Sequence, residues 1–505
     1  MSRRVSVIVL TALLVAGCSA GPDDVVPPGP EGVQPADPLP LDRVVDFSGI
    51  ASLNAGSNCT GTLIDTGVPD GPAYVLTNGH CVGDVGRSAQ RTTIGIEWFG
   101  TAEFFRADGN LDATLTVDVV ELAYSTMRAT DTAVIRLDAT LDELADLGVD
   151  PVPIAGREPA EGTEVVNVGV PVQDLMHDDW VMRLGECTLG GQHTLIEGAW
   201  LWFGVWSNDC PGIIQGSSGS PLLTLDADGV PEQVVAVINT TSGGVTADDG
   251  GACAINRPCQ VADGVATMVE ETSYAQSAAG IGECFDPRSG ELELGDTCPL
   301  PVSSVWTERG GGSFRGGDLP DATGQLPDVS LVGSQPGRAR TVVVPLGDGS
   351  ACTSPATYDG ALDVVLPLAG EDWELFGTVV PVDLPQEEGR YALCAVADDD
   401  YDGAASVLFD VDRTPPIVAA GASVEDIGDG AVVVRPHLDP PEITTVRFTW
   451  GPPDEVDCTD TDGFRDFFIA PLTLERADLP ARYCLYGMDA AGNPTDVVTL
   501  EIPAP

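Results

Sequence analysis

From Val44 to about Gly282 the chain is a succession of short runs rich in Val, Ile and Thr, each cut off by Gly or Asp. Runs of that length leave little room for helices and predict an all-β domain. The length of 505 residues suggests about three domains, and composition says where to divide them. Seven prolines between Gly21 and Leu41 predict an extended spacer. The run from Arg309 to Gly317, with glycines at 310, 311, 312, 316 and 317, predicts a flexible joint, after which strands such as Thr341-Val342-Val343-Val344 resume.

Beyond that joint lies a weak internal repeat, "RYALCAVADDDYDG" from Arg390 and "RYCLYGMDAAGN" from Arg482, each followed by another apolar run. The cysteines at 394 and 484 sit four and two residues after their arginines, an even difference that puts both on the same face of a strand. The region resembles bacterial immunoglobulin-like or fibronectin-like repeats, which implies small β-sandwiches stapled by Cys352 with Cys394 and Cys458 with Cys484. Arg413-Thr414-Pro415-Pro416 is the expected joint between them. Within the first copy, carboxylates at Asp398, Asp400 and Asp402 before Gly403 invite a calcium reading. Phe409 stands where a bidentate Glu would be needed, so a solvated hairpin turn is expected.

At the other end, Arg3 and Arg4 precede an apolar run, Val5 to Ala16, that is too short to span a bilayer and reads as an export signal. Leu14-Val15-Ala16-Gly17-Cys18 resembles the lipobox of bacterial lipoproteins, which implies cleavage before Cys18 and lipid attachment to its thiol. An ordinary signal cleaved near Ala20 is the alternative and leaves a soluble secreted protein. Thirteen cysteines less Cys18 leave twelve, enough for six disulfides in an oxidising compartment. The net charge of -55, scattered through loops, argues against nucleic acid as a partner and suits an exported protein that must stay soluble. The expected divisions are a signal at 1–17, a tether at 18–43, the main domain at 44–282, a linker at 283–325, and modules at 326–412 and 413–505. A lipid-anchored place on the outer membrane or cell surface follows.

One of only four histidines, His80, stands in "TNGHC" after the apolar run Ala73-Tyr74-Val75-Leu76. Upstream, Asn58 to Ile64 reads as a strand and Pro69-Asp70-Gly71 as a turn, so the two runs form a hairpin with Cys59 and Cys81 placed to be bridged. "CTGTLI" followed by "VLTNGHC" resembles the trypsin/chymotrypsin family of serine proteases. Two further motifs follow in that family's order. Thr130-Asp131-Thr132-Ala133-Val134-Ile135 resembles the buried aspartate's strand, and Gln215-Gly216-Ser217-Ser218-Gly219-Ser220-Pro221 resembles the nucleophile loop of the bacterial branch. The order His, Asp, Ser separates this reading from an α/β-hydrolase, whose nucleophile precedes its acid and its histidine.

The resemblance implies a two-barrel, all-β fold and a serine endopeptidase acting on protein or peptide substrates. In it Ser218 is the nucleophile, His80 the base, Asp131 its orienting acid, and the Gly216 and Ser218 amides the oxyanion donors. It implies no cofactor and no metal. It also places Gly212 at the base of the primary specificity pocket, Ile213 on its wall, and Ile238 and Thr240 on the facing strand, which favours a neutral substrate side chain. Ser217, where animal trypsins carry an aspartate, implies activity without zymogen cleavage. Cys187 with Cys210, Cys253 with Cys259 and Cys284 with Cys298 complete the expected pairing, and His177, His193 and His437 are expected to be solvated or structural. The competing reading is an inactive protease-like surface protein used for binding or adhesion, since fold alone guarantees no chemistry. Protein or glycan binding is the expectation for the C-terminal modules.

Overall fold

The run Ala73-Tyr74-Val75-Leu76 is apolar throughout because both faces of its strand are buried: Ala73 and Val75 point into one hydrophobic cluster, Tyr74 and Leu76 into another. That alternation carries the architecture. The computed structural model describes residues 33–85, 92–246, 253–263, 265–302, 306–310, 312–314, 329–333, 337–346, 350–366, 385–401, 404–417, 420–428, 430–437, 443–466 and 472–504. Cys18 and the signal segment lie outside them.

Strands β1 (Ile50–Asn54), β2 (Asn58–Ile64), β3 (Pro72–Thr77), β4 (Thr92–Phe104), β5 (Leu115–Thr126) and β6 (Thr132–Thr140) form a closed barrel in the order β1-β2-β3-β6-β5-β4. A second set comprises β7 (Glu164–Gly169), β8 (Arg183–Glu197), β9 (Trp200–Asn208), β10 (Pro221–Leu225), β11 (Pro231–Thr241), β12 (Cys259–Ala262), β13 (Val265–Met268) and β14 (Ser273–Ser277). Its order is β13-β12-β8-β7-β10-β11-β14-β9, and pairing of β8 with β9 closes the ring, leaving the β12–β13 hairpin as an addition on β8. Closure removes the free edges that long strands would otherwise expose. The one α-helix among the described residues, Leu141–Asp146, is capped by Thr140 and Glu143. The fold is the all-β, two-barrel one expected.

Leu53, Leu63, Val75, Leu122 and Ile135 fill the first barrel, and Val165, Leu189, Leu222, Val235 and Ala275 fill the second. Between the barrels lies a third core, to which Tyr74, Leu76 and Tyr124 contribute from one side and Val166, Leu223 and Val237 from the other. Leu39 and Leu300 are buried in that same core, beside Cys284 and Phe285. The expected cuts at 44 and 282 therefore pass through packed chain. From Val33 onward the expected tether runs along the second barrel: the Leu39 amide donates to the Met182 carbonyl at 2.8 Å and the Arg183 guanidinium donates to the Ala36 carbonyl at 2.9 Å. After Cys284 the chain folds back on the first barrel, where the Tyr124 hydroxyl donates to the Pro301 carbonyl at 2.8 Å.

All six expected disulfides are present: 59–81, 187–210, 253–259, 284–298, 352–394 and 458–484. They fit an oxidising compartment. Described parts of the expected Gly-rich joint are strands, Trp306–Gly310 pairing with Val329–Gly333 and Gly312–Phe314 running parallel to Phe409–Val411. The two copies of the repeat use one device: Arg390 pairs with Asp410 on the following strand at 2.6 Å, and Arg482 with Glu501 at 2.7 Å. Cys394 is tied to Cys352 in a 3-10 turn rather than to a strand of a facing sheet. Asp398 and Asp399 form the left-handed corner of a hairpin, and Asp399 is paired with Arg340.

Candidate active site

β3 ends at Thr77, whose partner in the antiparallel register with β6 is Ala133, so the residues just past β3 meet those just before β6. His80 and Asp131 are thereby brought face to face. Nδ1 of His80 lies 2.7 Å from Oδ2 of Asp131, and the His80 backbone amide donates to the other carboxylate oxygen at 3.1 Å. The Asn78 side-chain amide donates to the Asp131 carbonyl at 3.0 Å. Asp131 is fully buried, whereas the His80 side chain is 23% exposed, so the acid is sealed from water while the imidazole lies at the rim of the buried region. Gly79 is required by close approach, since a Cβ there would meet the Thr126 carbonyl oxygen at 2.2 Å.

The Ser218 loop is held from both barrels. The Thr60 amide of β2 donates to the Ser218 carbonyl at 2.8 Å, and its hydroxyl donates to the Gly216 carbonyl at 2.9 Å while accepting from the Val170 amide at 2.8 Å. From the second barrel, the Gly219 amide donates to the Ile238 carbonyl at 2.9 Å, and Asn167 donates to the Ser220 hydroxyl at 2.7 Å. Gly219 has φ +83° and no room for a Cβ, which would lie 2.0 Å from the Thr60 carbonyl oxygen. Cys59, the residue before Thr60, is bonded to Cys81, the residue after His80. The Cys59-Thr60 dipeptide thus ties the turn of His80 to the loop of Ser218. Sulfurs of Cys59 and Cys81 and a nitrogen of His80 lie within 4.8 Å of one another. Both sulfurs are spent in the disulfide and leave no thiolate for a metal.

Residues 59–237, which contain all three of these side chains, match the family model described as the trypsin-like peptidase domain. The chain carries a trypsin-like domain. No curated protein matches the chain. Among solved structures, an inactive serine-to-alanine form of Rv3671c from M. tuberculosis H37Rv is 16% identical with a TM-score of 0.28, covering 49% of this chain and 91% of that one. The thermostable serine protease AL20 from an extremophilic microorganism is 13% identical with a TM-score of 0.32, covering 47% and 94%. Protease Anisep from Arthrobacter nicotinovorans is 13% identical with a TM-score of 0.29, covering 46% and 91%.

Of the residues expected to shape the specificity pocket of the trypsin-like domain, Ile213 and Ile238 pack in the second barrel's core with Cys187, Cys210 and Trp206. Gly212, at φ +72°, backs onto the lead-in segment, where a Cβ would meet the Ala36 amide nitrogen at 2.1 Å. Thr240 is nearly buried and lies beside a residue that sequence reasoning missed, Glu197 at the end of β8. Glu197 is 4% exposed; one carboxylate oxygen accepts from the Asn256 amide at 2.8 Å, and the other has no hydrogen-bond partner among the described residues. Burial pushes its pKa up to about 7, against the pull of the Thr240 hydroxyl, the Asn256 amide and nearby His80, with Asp131 adding to the rise. The only signal in the sequence is an acid closing the apolar run Leu195-Ile196.

Proposed function

We propose that the protein is an exported serine endopeptidase with His80, Asp131 and Ser218 as its triad. The observation that carries this reading is the 2.7 Å contact between His80 Nδ1 and the fully buried Asp131 carboxylate. With Nδ1-H donated to Asp131, the other ring nitrogen, Nε2, keeps its lone pair for the Ser218 hydroxyl proton. Ser218 Oγ then attacks the peptide carbonyl, and the Gly216 and Ser218 amides donate to the oxygen that gains charge. The imidazolium, steadied by Asp131, passes its proton to the leaving amine. Water repeats the sequence and frees the acyl group. Apart from substrate and water, the groups named in these steps are this chain's own residues.

The pocket residues Gly212, Ile213, Ile238 and Thr240 carry no charge, which favours a neutral side chain before the cut. Anchoring through lipidated Cys18 accounts for the odd cysteine. The deciding experiment is labelling of the full chain with a fluorophosphonate, which should modify the wild type and leave Ser218→Ala untouched. A folded, disulfide-complete wild type that does not label would instead identify an inactive scaffold used for surface binding.

A further inference from the structure

We infer that the first C-terminal module is a working part of the peptidase, docked on the second barrel and holding, through Arg128, the segment that delivers Asp131 to His80. This rests on the peptidase reading above and extends it to a part of the chain outside the trypsin-like domain.

Two observations place the module there. A single hydrophobic cluster joins Ile196, Cys259 and Met268 of the second barrel to Cys352, Cys394 and Leu408 of the module. The module strand Gly389–Ala397 alternates accordingly: Ala392, Cys394 and Val396 face the peptidase side, while Tyr391, Leu393 and Ala395 belong to the module's own core. Independently, the guanidinium of Arg128, itself 7% exposed, donates to the module's Ala404 carbonyl at 3.0 Å. A buried guanidinium is retained where its donors are used, so this contact belongs to the folded state and not to a passing collision.

Arg128 stands three residues before Asp131, in a segment fixed at each step. The Trp202 indole donates to the Met127 carbonyl at 3.2 Å, the Phe203 amide donates to the Ala129 carbonyl at 3.0 Å, and the Thr130 hydroxyl donates to Gln276 at 3.3 Å. Ala129 has φ +62°, a left-handed conformation that a non-glycine residue keeps only when its neighbours impose it. Three of these anchors come from the second barrel and the fourth from the module. Releasing Arg128 frees the strained segment at its centre, and Asp131 follows directly. A carboxylate misplaced by a fraction of an ångström no longer fixes the imidazole, which slows the chemical step and leaves substrate binding in place. Arg128 is in this sense a positioning residue.

The test uses the full chain and three variants, Arg128→Ala, Arg128→Lys and Val261→Glu. The last sets a charge in the shared cluster on β12, a strand outside the closed ring. Fluorophosphonate labelling rate, kcat and KM on a peptide ester, and amide exchange over residues 126–132 and 392–408 are measured for each. Arg128→Ala and Val261→Glu should label about tenfold more slowly, with kcat reduced and KM unchanged and faster exchange over 126–132. Arg128→Lys, which can still donate to the Ala404 carbonyl, should recover most of the rate. Labelling at the wild-type rate by Arg128→Ala, or by a Val261→Glu chain whose exchange shows the module released, overturns the inference alone. A wild type that fails to label overturns the peptidase reading and this one with it.

Discussion

The backbone amide of Thr60, in the first barrel, donates to the carbonyl of Ser218, in the second, at 2.8 Å. The Thr60 hydroxyl adds two more bonds, to Gly216 and from Val170, so one side chain sets the spacing of the loop proposed to carry the nucleophile and the oxyanion donors. Thr60→Ala leaves the Gly216 carbonyl and the Val170 amide unpaired in a buried place. The expected cost is about 1–3 kcal/mol of stability, with a fall in labelling rate larger than Thr60→Ser produces. Urea unfolding and fluorophosphonate kinetics on the two variants check this; equal rates would mean that Thr60 only packs.

Ser218→Ala and His80→Ala should each remove nearly all turnover, and the double variant should lose little more, because base and nucleophile act as one unit. Asp131→Asn should also be severely impaired, since an amide facing Nδ1 no longer selects the required tautomer. Single-turnover ester hydrolysis measures all four. Losses that multiply in the double variant would contradict a shared step.

Glu197 gives a pH dependence whose sign follows from its buried site. Its pKa, raised from 4.5 to about 7 mainly by burial, means the folded state keeps a proton that the unfolded chain releases between those values. The stabilisation is therefore full below pH 4.5 and is lost as pH rises through 7, by about 3 kcal/mol. Glu197→Gln should flatten this slope and exceed the wild type in stability at pH 8. Unfolding curves at pH 5 and pH 8 provide the measurement, and parallel behaviour of the two proteins would show that Glu197 is ionised throughout.

Replacing both Cys59 and Cys81 by Ser opens a bridge spanning 22 residues and should cost about 3 kcal/mol. Activity should fall further than stability predicts, because the dipeptide Cys59-Thr60 is what ties His80's turn to the Ser218 loop. Comparing labelling rates well below the melting temperature separates the two effects.

A chain trimmed to residues 44–282 should be markedly less stable than one spanning 33–301. The shorter form lacks Leu39, Phe285 and Leu300 from the core between the barrels, together with the 284–298 disulfide. Melting temperatures of the two forms decide the point; equal values would show that the flanking segments lie on the barrels without supporting them.

The strand content was legible in the sequence because it rests on local pattern, whereas the cysteine pairing and the facing of His80 and Asp131 were expected because their motifs resemble those of known families. Residues two apart share a face, so β3 declared itself through Ala73-Tyr74-Val75-Leu76, and a cysteine beside a histidine after such a strand limits where its partner can be. Tertiary structure alone decided the rest, because those contacts join residues distant in sequence and chemically unremarkable. Leu39 and Leu300 belong to the domain because they meet in one core, Thr60 matters because a second barrel brings Ser218 to it, and the Glu197 pKa is pushed up because the fold buries its side chain. Arg128 reads as an ordinary loop residue until Ala404, 276 positions away, supplies its acceptor. Periodicity is written residue by residue, whereas burial and hydrogen-bond partners are fixed only when separate segments close on one another.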